Sequence, residues 1–138
     1  MNEEKRRILI TGSTGCIGTH TVDLLLAEGG SEVFGFNRSE PKNDSIKNGY
    51  HFITGDLSDC ESVERAVEQV QPTHVIHLGA LQTPDCRDFP MQGMNINVLG
   101  TAHLFHACAK LKNPLERFVF ASSSAVNGAR SLYGPDGV

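Results

Sequence analysis

Residues 11–18 read Thr11-Gly12-Ser13-Thr14-Gly15-Cys16-Ile17-Gly18, three glycines at three-residue spacing between an apolar run and an amphipathic one. Before them stands Ile8-Leu9-Ile10, predicted to be a short buried strand from Arg7 to Thr11. After them Ile17, Thr21, Leu24 and Leu25 recur at helical spacing, and Gly29-Gly30 supply a stop. Gly12 permits a sharp strand-to-helix turn, Gly15 lets a pyrophosphate approach the backbone, and Gly18 lets the helix pack closely on the sheet. The helix N-terminus then offers unpaired N–H groups and a partial positive charge to the anion. A glycine triplet by itself can be a merely structural turn. Its place directly after a first strand and at the opening of a helix is what favours a dinucleotide.

Beyond this helix a second strand is expected over Glu32 to Asn37, a polar loop over Ser39 to Asn48, and a third strand over Tyr50 to Thr54. Gly55-Asp56-Leu57-Ser58-Asp59 makes a turn, and Ser62 to Val70 carries Val63, Ala66, Val67 and Val70 on one helical face, with Pro72 beyond its end. Thr73 to Leu78 reads as a strand covered on both faces. A loop with Pro84 and Pro90 leads to the longest predicted helix, about Gly93 to Leu111. One of its stripes holds Ile96, Leu99, Leu104, Ala107, Cys108 and Leu111, and a second holds Met94, Val98, Ala102, Phe105 and Ala109. Arg117 to Ala121 is the fifth strand. Strands separated by crossovers imply one doubly wound parallel α/β sheet of Rossmann type over residues 1–138, with ligands at the carboxyl ends of its strands.

The 138 residues hold 12 Lys+Arg against 16 Asp+Glu, a formal charge of −4, without a basic run. Nucleic acid and anionic membranes are therefore not expected as partners. No apolar stretch approaches the roughly 20 residues of a membrane span, and the first ten residues lack a signal-peptide core. The expectation is a soluble, cytoplasmic protein. Its four cysteines, Cys16, Cys60, Cys86 and Cys108, show no metal-like spacing and are expected as free thiols. His103 and His106 lie three apart, but no carboxylate or cysteine completes a site, so no metal is expected.

Five segments in order resemble the extended short-chain dehydrogenase/reductase family of NAD(P)-dependent nucleotide-sugar epimerases and dehydratases. They are TGSTGCIG, GDLSD (Gly55 to Asp59), VIHLGA (Val75 to Ala80), NVLGT (Asn97 to Thr101) and FVFASSSAVNG (Phe118 to Gly128). The resemblance implies that Asp56 contacts the adenine with Leu57 beside it, although Asp56 is also an ordinary turn former or helix cap. It implies that Leu78, Gly79 and Ala80 line the cofactor, and it assigns Thr14, Cys16, Ile17, Asn97, Ala121 and Ser122 to the same surface. The family more often has alanine where Gly79 stands, and an apolar or aromatic residue where Cys16 stands. Cys16 is accordingly read as a small hydrophobe, and His77 as a strand-end packing residue.

At the end of the second strand an acidic residue would bind the ribose 2′-hydroxyl of NAD, but this chain has Asn37 followed by Arg38. Neutral Asn37 removes repulsion of a 2′-phosphate and Arg38 can pair with it, which favours NADP, with NAD the alternative.

Enzymes of this family pass a hydride to the nicotinamide while a tyrosine, assisted by a lysine four residues on, takes the hydroxyl proton. Laying Asn127-Gly128 on the family's usual Tyr-Gly pair makes Ser123 the substrate-orienting serine, with Ser122 and Ser124 as rivals. The YxxxK pair is missing: the two tyrosines are Tyr50 and Tyr133, and Gly137 stands four residues beyond the latter. The chain is therefore expected to be an incomplete, amino-terminal cofactor half, inactive alone, whose longer form takes the small-molecule substrate. The alternative is a non-catalytic NAD(P)-sensing or interaction module. In either case helix 93–111 is a candidate homodimer surface.

Overall fold

The computed structural model describes residues 5–41, 49–123 and 126. Five strands, β1 (Arg6–Thr11), β2 (Ser31–Asn37), β3 (Tyr50–Thr54), β4 (His74–His77) and β5 (Arg117–Phe120), form one parallel sheet in the order β3-β2-β1-β4-β5. Central β1 pairs Ile8 with Val33 of β2 on one side and with His74 of β4 on the other. Strand order reverses beside β1, so the carboxyl ends of β1 and β4 flank the switch point expected for a doubly wound sheet.

Ile8, Leu9 and Ile10 are all buried, because a central parallel strand is covered on both faces. Leu9, Phe36 and Val75 face α2 (Cys60–Val70) and α5 (Gly100–Ala109), forming a core with Leu57, Val63, Val67, Val70, Ile96 and Leu104. Ile8, Ile10, Val33 and Tyr50 face the other way, towards Val22 of α1 (Cys16–Glu28). Asp59 caps α2 by accepting from the Glu61 N–H at 3.1 Å, and Gln71, in the left-handed conformation, ends it.

The glycine turn, β3 and the inward face of α2 agree with the sequence reading, but the packing stripe of α1 does not. Ile17 and Leu24 are 66% and 72% exposed, and the helix seats on the sheet through Gly18 and Val22, with Leu25 and Leu26 beside them. Part of the contact is made by a residue with no side chain, so apolar periodicity finds Leu25 but also picks the exposed Ile17 and Leu24.

The predicted loop after β4 contains two short helices, α3 (Thr83–Asp88) and α4 (Pro90–Gly93). Pro84 and Pro90 sit in their first turns, where a missing N–H costs nothing. The long helix therefore starts three residues earlier than expected. It passes through a π-helical turn (Met94–Leu99) before continuing as α5. Ile96, Leu104, Ala107 and Cys108 of the first stripe are buried, but Leu99 is half exposed, as are Met94, Val98 and Phe105 of the second stripe.

Candidate functional site

The turn after β1 brings backbone against backbone. Gly12 has φ +71, and a Cβ there would lie 2.8 Å from the Gly79 nitrogen and 2.9 Å from its Cα, so the exits of β1 and β4 touch directly. A Cβ on Gly18 would lie 2.1 Å from the Gly12 carbonyl oxygen, so any side chain would push α1 off the turn. Gly15 donates its N–H to that same oxygen at 3.0 Å and precedes α1 without a side-chain cap. No acidic residue stands in the first turn, so the positive end of the helix dipole is uncompensated by a neighbouring carboxylate. An uncapped helix start of this kind, lined by backbone, suits an anion.

Two side chains brace the turn from neighbouring strands. The Tyr50 hydroxyl, on β3, donates to Ser13 Oγ at 3.1 Å in the buried layer beneath it, and burial pushes the phenol pKa upwards. Gly35 of β2 makes room for this pair, because a Cβ there would meet the Tyr50 oxygen at 2.1 Å. At the end of β2 the Asn37 side-chain amide donates to Thr14 Oγ1, and the Asn37 carbonyl accepts from Gly55 N–H at 2.9 Å. Arg38 follows it, exposed.

The profile of the NAD dependent epimerase/dehydratase family matches residues 8–136. The chain belongs to that family. It is 33% identical over 132 residues to UDP-glucuronate 4-epimerase 1 of Arabidopsis thaliana, an alignment covering 88% of this chain and 30% of that protein. It is 31% identical over 117 residues to UDP-glucose 4-epimerase of Rickettsia rickettsii, covering 78% of this chain and 34% of the relative. Thermus thermophilus UDP-glucose 4-epimerase, solved in complex with NAD, superposes with a TM-score of 0.75 at 37% identity, over 85% of this chain and 37% of that one. Bordetella bronchiseptica WbmG, solved with NAD and UDP, gives 0.71 at 27% identity, over 83% and 36%. The chain thus spans about a third of the length of these epimerases.

Within this epimerase/dehydratase fold, the residues singled out in the sequence divide into two groups. Gly12, Thr14, Gly15, Cys16, Ile17 and Gly18 lie together at the turn, with Asn37 and Arg38 at the adjoining end of β2. Leu78, Gly79 and Ala80 leave β4 beside them, and Ala121 follows β5, its N–H donating to the His77 carbonyl at 3.1 Å. Ser122 and Ser123 come next in sequence and are exposed. Ser124, Asn127, Gly128 and Tyr133 lie outside the described residues.

The second group has structural partners. Asp56 Oδ1 accepts from both the N–H and the hydroxyl of Ser58, each at 2.8 Å, which makes it a turn former. Leu57 is buried, packed under Gly79 and against Gly100. Asn97, in the π-helical turn, accepts from Leu81 N–H at 2.7 Å and donates to the Leu81 carbonyl at 3.0 Å and to Cys86 Sγ at 3.4 Å, bracing the loop after β4. His103 donates from Nδ1 to the Leu57 carbonyl, whereas His106 lies 3.5 Å from Glu64, so the two histidines go to different partners. Among the described residues, no helix is long and apolar enough to cross a membrane.

Sequence reasoning missed two features. Tyr50 was legible only as a strand residue, and its support of Ser13 depends on β3 lying next to β2. His77 was read as packing, but it is hydrogen-bonded at both ring nitrogens, to Thr11 and Thr101. Spacing along one strand contains no signal for either contact.

Proposed function

We propose that this chain is the dinucleotide-binding part of an enzyme that acts by hydride transfer on a nucleotide sugar or a related hydroxyl substrate. The observation that carries this reading is the side-chain-free approach of Gly12, Gly18 and Gly79 beneath an uncapped helix start at the sheet's switch point. The cradle fits a pyrophosphate: among the described residues, and apart from its chain neighbours, only the Gly12 oxygen lies within 4 Å of where a Gly15 Cβ would stand. The turn from Gly12 to Gly18 would hold the phosphates, Asn37 and Arg38 the adenosine ribose, and Asp56 and Leu57 the adenine side. Leu78, Gly79, Ala80, Ala121 and Ser122 would line the strand ends. The three UDP-sugar 4-epimerases described above, one of them solved with NAD, and the WbmG complex with NAD and UDP support the dinucleotide-binding reading.

Bound there, a nicotinamide dinucleotide supplies reversible acceptance of a hydride. Ser123, just beyond β5, would orient the substrate hydroxyl. A tyrosine followed four residues later by lysine is not among the 138 residues, so the chain alone is expected to show negligible turnover. NADP is the favoured form. No carboxylate at the end of β2 repels a 2′-phosphate, and the exposed Arg38 guanidinium can pair with it. The free thiols at Cys16, Cys60, Cys86 and Cys108 fit a reducing compartment, the cytoplasm.

Fluorescence titration of the folded chain with NADPH and NADH tests the reading directly. Saturable binding of both, tighter for NADPH, is expected; a folded chain that binds neither removes the reading. Asn37→Asp should reverse the preference towards NADH by about tenfold or more, through repulsion of the 2′-phosphate.

A second reading, an interaction module or homodimer, rests on the exposed stripe of Met94, Val98 and Phe105. Mass in solution tests it: Val98→Glu should convert a dimer to a monomer, and a parent chain that is monomeric at high concentration removes it.

A further inference from the structure

Beneath the switch-point crevice runs a chain of hydrogen bonds whose direction is set at both ends. Gly79 N–H donates to Thr11 Oγ1 at 3.0 Å, and Thr101 Oγ1 donates to the Asn97 carbonyl at 2.8 Å. His77 stands between them, with Nδ1 2.6 Å from Thr11 Oγ1 and Nε2 2.9 Å from Thr101 Oγ1. A hydroxyl has one hydrogen. Because that of Thr101 goes to Asn97, its oxygen accepts from His77, and Nε2 carries the ring hydrogen. Nδ1 of the neutral imidazole is then a lone pair, and Thr11 donates to it. Thr11 is 0% exposed and His77 2%, so these groups depend on one another rather than on bulk water.

We propose that His77 is a positioning residue for the dinucleotide: by accepting from Thr11 it aims that hydroxyl's oxygen at the Gly79 amide, and so holds the exit of β4 against Gly12. The proposal rests on the dinucleotide-binding reading and adds to it the device that sets the width of the crevice. Gly12 and Gly79 meet with no side chain between them, and the Thr11 hydroxyl joins the Leu78 N–H bond to the Thr11 carbonyl, at 3.2 Å, in fixing their spacing. Without an acceptor at Nδ1, the Thr11 hydroxyl is a buried donor with no partner, and rotating it to find one turns its lone pairs away from Gly79. At the other end, the same ring ties the crevice to the helix that follows the π-helical turn. Burial pushes the His77 pKa down to about 4, which agrees with a single neutral ring form near neutrality.

Two substitutions separate the ends of the chain. His77→Asn places a carbonyl oxygen near the position of Nδ1 and keeps an acceptor for Thr11, whereas His77→Gln places an amide nitrogen near Nε2 and keeps a donor for Thr101. With NADH as the probe and the whole 138-residue chain, His77→Gln is expected to weaken binding by about tenfold, the loss of one buried hydrogen bond. His77→Asn is expected to weaken it by no more than about threefold. Long-range 1H–15N spectra of the parent should show hydrogen on Nε2 alone between about pH 5 and 8.

Equal losses in the two variants, or hydrogen on Nδ1, overturn the His77 assignment while leaving dinucleotide binding intact. A folded parent that does not bind NADH overturns both. Should neither variant fold, Thr11→Ser and Thr11→Val carry the test. Serine keeps the hydroxyl and should hold affinity within about threefold of the parent, valine should lose about tenfold, and equal affinities count against the proposal.

Discussion

The two faces of the sheet are covered unequally. On one, α2, the π-helical turn and α5 bury a continuous core from Leu9 to Leu104. On the other, Val22 of α1 meets Ile8, Ile10, Val33 and Tyr50, while Val119 of β5 is 44% exposed on the same side as Ile76. The two faces are built for different contacts. The first face holds the fold together, and the second is arranged around the glycine turn, where α1 must come close rather than bury much.

Cavities should therefore cost more on the first face. Leu104→Ala, on α5 and 1% exposed, is expected to lower unfolding free energy by about 3–4 kcal/mol in urea titrations. A loss below that expected for Val22→Ala would break the comparison. His77 lies on the same face and adds a pH dependence. Its folded pKa of about 4 lies below the ordinary 6.5, so the unfolded chain takes up the proton first. Its contribution is complete above about pH 6.5 and is lost as pH falls towards 4, by up to about 3 kcal/mol. Urea midpoints of the parent and His77→Asn from pH 8 to 4.5 should converge as the pH falls; parallel curves would remove the effect.

On the second face Val22→Ala is expected to cost about 2 kcal/mol, the transfer of two methyl groups. Smallest is the helix cap: Asp59→Ala should cost about 1 kcal/mol, read as a shift in thermal midpoint. It sharpens the comparison by separating the local stability of α2 from the packing of its apolar face.

The same division governs what the sequence reveals. β3 and the inward face of α2 follow from alternation and helical spacing because side chains carry those contacts. The stripe of α1 was misread because its anchor, Gly18, has no side chain to register in a periodicity, leaving Ile17 and Leu24 as misleading apolar residues. The glycine turn was legible in its position and its close backbone packing, since glycine spacing records a backbone requirement. Asn97 carries a contact that its place in the sequence does not reveal: the fold engages both ends of its amide with Leu81. The π-helical turn, the Tyr50–Ser13 pair and the His77 chain depend on which strands become neighbours, which is decided by topology.

That topology also orders the site in time. β1 is the centre of the sheet and precedes its other strands in sequence, yet Thr11 and His77 lie 66 residues apart. Closing so long a loop must precede any reward from their contact, and parallel pairings of this kind fold slowly. A nascent chain can therefore form the glycine turn and α1 early, but the crevice that turn serves comes into being only when β4 docks against β1. Until then the turn is a helix start with no opposite wall, and the place proposed for a dinucleotide is completed as a late step of folding.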